Sequence, residues 1–186
     1  MIPAVNTRDR YGAVAVALHW IMALILVALL VIGLYMVRLP DTGFDKVKID
    51  LIVYHKELGI LALLLMLLRW MWRIVNRMPR LVEGPAWQMI AARFVHLCFY
   101  ALMIALPVTG WLMSSAAGFP VPFFGLFYLP DFIRENDALF QFFVEVHKWL
   151  AYALIAAIAA HVGAALWHHI VRRDATLKKM LPAAGD

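Results

Sequence analysis

Four long apolar stretches, separated by short polar and proline-containing segments, dominate the chain. The first runs from Gly12 to Val37 and holds no Asp, Glu, Lys or Arg. The second, Ile49 to Arg73, opens near YHKELG and closes among arginines. The third spans Met89 to Ser114 and contains Arg93, His96 and Pro107; the fourth spans Phe140 to Val171. A membrane-spanning helix needs about 20 mostly apolar residues, so each stretch predicts one span, with a kink at Pro107. A charged start followed by an apolar run can mark a signal peptide. Here the run is too long and no small-residue cleavage site follows, so it is read as helix 1. The expected fold class is an all-α membrane protein: one integral-membrane domain over 1–186, a four-transmembrane-helix bundle. No internal repeat is visible.

The connections refine this picture. Arg38 to Asp50 is polar, with Pro40 and Gly43. The link from helix 2 to helix 3 holds Arg69, Arg73, Arg77 and Arg80, broken by Pro79, Gly84 and Pro85. The link from Ala116 to Leu139 includes FPVPFFGLFYLP, whose three prolines in twelve residues rule out a span. It is expected to lie along the membrane surface and to form a short helix.

The chain has 186 residues, of which 65% are hydrophobic and 16% charged, with a mean hydropathy of +0.80. That apolar excess suits a bilayer. The single cysteine, Cys98, excludes an internal disulfide, and the absence of CxxCH excludes covalent c-type haem. The net charge of +5 is distributed as membrane topology rather than as a nucleic-acid patch. With four spans both termini share a side. That side and the second connection hold Arg8, Arg10, Arg69, Arg73, Arg77, Arg80, Arg93, Arg172, Arg173, Lys178 and Lys179. The opposite side holds Arg38, Lys46, Lys48, Lys56, Arg134 and Lys148, diluted by acids. The positive-inside rule puts both termini in the cytoplasm.

The histidines supply the candidate chemistry. Helix 4 carries four of the seven. His147 and His161 lie fourteen residues apart, just under four turns, so they share a face with a rise of about 21 Å between them. Alanines fill the interval and leave room for a flat group. Ionisable side chains inside a membrane mark function by default and face the interior, although any one of them can be a hydrogen-bonded packing residue. Helices 1 and 3 run one way, helices 2 and 4 the other. His19 is then level with His161 near the cytoplasm, and His55 is level with His147 near the outside. Two level pairs predict two bis-histidine b haems, with no open iron site, suited to electron transfer. Arg69, fourteen residues after His55, falls at the level of the cytoplasmic haem and is a candidate partner for a propionate. His96 also opens a helix on that side and is an alternative to His19. His168 and His169 are read as interfacial polar residues. No catalytic side chain is singled out.

The stretches LHW (18–20), HKELG (55–59), LLRWMWR (67–73), HLCFYALMIALPVTGWLMSSA (96–116), VHKWLAY (146–152) and AAHVGAALWHHIVRRDATLKKMLP (159–182) resemble the bacterial cytochrome b561 family, four-helix dihaem membrane cytochromes. The resemblance implies two b haems held at His19, His55, His147 and His161. It also implies an oxidoreductase passing an electron from periplasmic superoxide, or another outside donor, to membrane ubiquinone. Lys46, Lys48, Lys56 and Lys148 would make a positive entry for a small anion, weakened by Asp41, Asp45, Glu57 and Glu145. Two other readings stay open: an electron-relay cytochrome b subunit for a partner dehydrogenase or hydrogenase, and a non-haem four-helix transporter with histidine proton relays. The expected partners are lipid, quinone and a small redox donor. The chain is also compatible with a homodimer.

Overall fold

The computed structural model describes residues 3–40, 45–80 and 84–181. Asp41 and Gly43 of the first loop, and Pro182 at the end of the last matching stretch, lie outside the described residues. The elements in chain order are α1 (Ala13–Met36), α2 (Lys46–Val75), α3 (Ala86–Ala116), β1 (Val121–Phe123), β2 (Phe127–Leu129) and α4 (Asp137–Trp167). A π-helical turn at His168–Arg172 continues α4, and a 3₁₀ turn covers Lys178–Met180.

Among the described residues, four helices are long and apolar enough to cross a membrane. Between 6% and 22% of the residues in their apolar windows are buried inside the molecule. So much exposed apolar surface is stable only against lipid. Helices α2, α3 and α4 each begin three residues before the apolar run predicts; side chains cap the first turns of α2 and α4. Asp45 Oδ1 accepts from Val47 N at 2.9 Å and Lys48 N at 3.3 Å. Asn136 Oδ1 accepts from Leu139 N at 2.9 Å, and Pro85, with its fixed φ, precedes α3.

The chain divides into two compact units. The first comprises Met1–Ala23, Leu65–Tyr100 and Ala156–Asp186, with Val16, Met22 and Met66 buried. Its N-terminal segment folds back onto the start of α1. Ala13 N donates to Pro3 O at 2.9 Å, and Gly12 N to Asn6 Oδ1 at 2.9 Å. A Cβ at Gly12 would come within 2.4 Å of the Ala4 carbonyl, so only glycine permits this approach. Asn6 Nδ2 donates to Arg77 O at 3.0 Å and Arg80 N to Arg8 O at 2.8 Å, which ties the segment to the connection after α2.

The second unit comprises Leu24–Leu64 and Ala101–Ile155, with Ile60, Ala62, Leu102, Met103 and Leu154 buried. The segment expected to form a short surface helix is instead an antiparallel hairpin, with Val121 opposite Leu129 and Phe123 opposite Phe127. Pro120 and Pro122 lack the N–H groups a helix needs. Phe124 and Gly125 take φ of 48° and 69°, the consecutive positive values of a tight hairpin turn. Phe124 N donates to Oε1 of buried Glu57 at 2.8 Å, and Trp111 Nε1 to Pro130 O at 3.0 Å. The hairpin is thereby fastened to α2 and α3.

Candidate functional site

Each unit contains one facing pair of histidines. In the second unit His55, on α2, faces His147, on α4, with ring centroids 6.3 Å apart and planes inclined at 71°. Both rings press an edge against a glycine. A Cβ at Gly33 of α1 would lie 3.2 Å from His55 Cε1, and one at Gly110 of α3 would lie 3.3 Å from His147 Cε1. His147 Nδ1 is 3.1 Å from Thr109 Oγ1. His55 Nδ1 is buried with no hydrogen-bond partner among the described residues. The Leu29 carbonyl approaches that ring without meeting hydrogen-bond geometry.

In the first unit His19, on α1, faces His161, on α4, at 6.2 Å and 60°. His96 of α3 also meets the His161 ring, at 5.8 Å and 65°, and Phe99 closes on it at 5.4 Å. Arg69 Nη1 donates to the Ala15 carbonyl at 3.4 Å, and its charge is felt at both His19 and His161. Arg73 Nη1 donates to the Tyr100 hydroxyl at 3.1 Å. Tyr11, before α1, is pushed up from the ordinary phenol range by burial, a shift partly countered by Arg73 and Arg69. An open groove of about 330 Å³ is lined by Trp70, Arg73, Arg93, His96, Leu97 and Tyr100. Arginines therefore border this site on two helices, as a group carrying carboxylates would require.

A metal–imidazole bond is about 2 Å long, and a ring centre lies about 1.2 Å behind its nitrogen. Two imidazoles on opposite sides of one ion thus stand about 6.4 Å apart, centre to centre. The separations of 6.3 Å and 6.2 Å fit that requirement. The residues present therefore fit a bis-histidine haem in each unit. A cluster of three or more His, Cys, Asp or Glu able to hold a bare metal ion is absent among the described residues.

The remaining sequence candidates are placed as follows. His168 is half-buried, with Nδ1 2.5 Å from Asp174 Oδ2. Burial alone would raise the Asp174 carboxyl; hydrogen bonds from Thr176 and His168 outweigh it and hold the carboxyl down at about 2. Lys46 pairs with Asp50 at 2.7 Å and Lys148 with Glu145 at 2.6 Å. Lys48 donates to the Leu39 carbonyl at 3.2 Å, and Lys56 lies 5.9 Å from the Phe119 ring centre. Sequence reasoning passed over Gly33, Thr109 and Gly110. The available signal was a glycine within an apolar helix, which marks a close approach of something bulky.

Residues 10–183 match the family model described as prokaryotic cytochrome b561. The chain belongs to the prokaryotic cytochrome b561 family. Cytochrome b561 homolog 2 of Escherichia coli (strain K12) is 35% identical over 179 residues, covering 95% of this chain and 93% of that protein. Cytochrome b561 homolog 1 of the same organism is 30% identical over 179 residues, with 94% and 98% covered. The probable superoxide oxidase CybB of Yersinia pestis is 28% identical over 174 residues, with 93% and 96% covered. Membership of the b561 family implies a b-type haem and makes this an integral membrane protein. The lack of a CxxCH motif agrees with a haem held by ligands alone.

Proposed function

We propose that this cytochrome b561 carries single electrons across the bacterial inner membrane through two b haems. One is held by His19 and His161, the other by His55 and His147. The observation that carries this reading is the repeated separation of about 6.3 Å within the two histidine pairs. Haem bound in this way supplies a one-electron couple with no free coordination position, so substrate is oxidised or reduced at the edge of the group rather than on the metal. The protein's part is to bind, space and orient. Four helices supply the imidazoles, and Gly33 and Gly110 let two of the rings seat closely. Arg69 supports the His19–His161 site with positive charge where propionates would lie. The whole chain, 1–186, acts as one cytochrome domain.

With both termini cytoplasmic, His55 and His147 lie near the outer ends of α2 and α4, and His161 near the inner end of α4. A small anionic donor such as superoxide would deliver its electron outside, at the site beside Lys56, and ubiquinone would accept it within the membrane. The name of the Yersinia pestis relative and the lysines near the start of α2 and α4 favour this donor. The chain would then be a superoxide:quinone oxidoreductase. Haem content and potentiometric titration of His19→Ala, His55→Ala, His147→Ala and His161→Ala test the proposal. Each variant is expected to lose one haem of two and to retain the potential of the other. Two haems in all four variants would overturn it. Superoxide-driven reduction of the purified cytochrome, with quinone present, then separates direct oxidation from service as a partner's relay.

A further inference from the structure

His147 is held by more than its own helix. The Thr109 hydroxyl that lies 3.1 Å from its Nδ1 is also 2.7 Å from the Ala105 carbonyl and 3.0 Å from the Leu106 carbonyl. A hydroxyl has one hydrogen and two acceptor lone pairs. The shorter contact, to Ala105, takes the hydrogen, which leaves only lone pairs facing the ring. Nδ1–H must therefore be the donor to Thr109, and Nε2 keeps its lone pair for a metal.

The local sequence explains the arrangement. Pro107 has no N–H to give to the preceding turn of α3, and a threonine bonding back to its own helix bends it further. The stretch PVTG thus sets a hydroxyl and a bare backbone next to each other at His147. His55 has only half of this provision. Gly33 lies against its Cε1–Nδ1 edge, at 3.2 Å and 3.7 Å for a Cβ, but the residue before Gly33 is Ile32, which has no hydroxyl. His55 Nδ1 is the buried nitrogen that lacks a partner.

We propose that Thr109 is the positioning residue for His147: it fixes the ring's tautomer and strengthens its electron donation, so that the two ligands of one haem are chemically unequal. This rests on the reading of His55 and His147 as haem ligands. A ligand histidine whose second nitrogen donates a hydrogen bond is the more basic ligand, and loss of such a partner typically weakens metal affinity about 10–100-fold. Stronger donation favours the ferric ion, so Thr109 holds that haem's potential down. The Leu106 carbonyl approaches the same ring without meeting hydrogen-bond geometry, so it is at most a weak substitute acceptor when the hydroxyl is removed.

The test uses the full chain loaded with haem. Thr109→Val and Thr109→Ala both remove the hydroxyl, the second without the bulk; Thr109→Ser keeps it. In either of the first two, one of the two potentiometric waves is expected to move positive while the other stays. Haem should be given up about tenfold more readily to apomyoglobin, at the lower end of that range. Thr109→Ser should restore both. Parent potentials and haem retention in Thr109→Val or Thr109→Ala, or failure of Thr109→Ser to restore them, would overturn the proposal. His147→Ala, measured alongside, separates the two claims. If it keeps both haems, the ligand assignment fails. If it loses one while the Thr109 variants match the parent, only the role of Thr109 fails.

Discussion

His55 and His147 face one another with ring centres 6.3 Å apart and planes 71° from parallel, each ring backed by a glycine on a different helix. Here each ring lies against the bare backbone of a glycine, and His147 meets the Thr109 hydroxyl as well.

That seating predicts the effect of one methyl group. In Gly110→Ala the new Cβ would stand 3.3 Å from His147 Cε1, and in Gly33→Ala 3.2 Å from His55 Cε1. The ring must then move by a few tenths of an ångström, and overpacking of this kind costs roughly 1–3 kcal/mol. Each variant is expected to bind one haem about tenfold more weakly while the other is untouched. Haem-to-protein ratios after gel filtration check it, and full retention of both would refute it.

His19 and His96 both meet His161, at 6.2 Å and 5.8 Å. The wider separation is closer to the span across one metal ion. Accordingly His96→Ala is expected to keep two haems with a modest potential shift, and His19→Ala to keep one. The reverse outcome in optical spectra and haem quantitation would reassign the ligand to His96.

The lysines proposed to attract an anionic donor are not equivalent. Lys148 is already paired with Glu145 at 2.6 Å, whereas Lys56 rests over the Phe119 ring. Lys56→Gln is expected to slow superoxide-dependent haem reduction a few-fold and to flatten its dependence on salt, with Lys148→Gln a smaller change. Stopped-flow rates at two ionic strengths decide it. Equal rates for Lys56→Gln and the parent would remove steering from the account.

Glu57 is buried and accepts from Phe124 N at 2.8 Å. Removing the acceptor strands a backbone N–H in a turn that already has positive φ. Glu57→Ala should therefore destabilise the hairpin by about 1–3 kcal/mol, with Glu57→Gln closer to the parent. Limited proteolysis between Phe119 and Pro130 reports it; equal cleavage of Glu57→Ala and parent would rule it out.

After α4, Asp174 accepts from Thr176 N at 2.9 Å and meets His168, and Trp20 Nε1 reaches the Met180 carbonyl at 2.7 Å. The Asp174 carboxyl titrates lower in the folded chain, at about 2, than its ordinary 3.8. Its contribution is therefore complete above the ordinary value and is lost as pH falls through the folded value. The segment Arg173–Leu181 should loosen between about pH 4 and pH 2, and in Asp174→Asn it should be loose already at neutral pH. Trp20 fluorescence follows the change; a pH-independent signal in that window would contradict it.

Several parts of this were legible without coordinates. The four apolar runs count spans because span length is set by bilayer thickness. Chain order and alternating direction give each histidine a depth, which is why His19 could be matched with His161 and His55 with His147 before any distance was known. The caps that lengthen α2 and α4, Asp45 and Asn136, are polar residues outside those runs, so the apolar pattern missed them. The hairpin was missed because its strands are only three residues long, too short to show an alternating pattern, and its turn is held by Glu57, more than sixty positions away in sequence.

What the sequence determined by itself is therefore one-dimensional: how many spans, in which direction, and at what height each imidazole stands. Beyond the histidines, rotation about each helix axis was left open, because lipid and helix interior are equally apolar and no periodic contrast in the apolar residues marks the inward face. Tertiary structure decided the rest. It set Gly33 and Gly110 against the rings, brought the Thr109 hydroxyl to His147, and let both His19 and His96 approach His161, since only packing in three dimensions fixes which atoms of level residues meet.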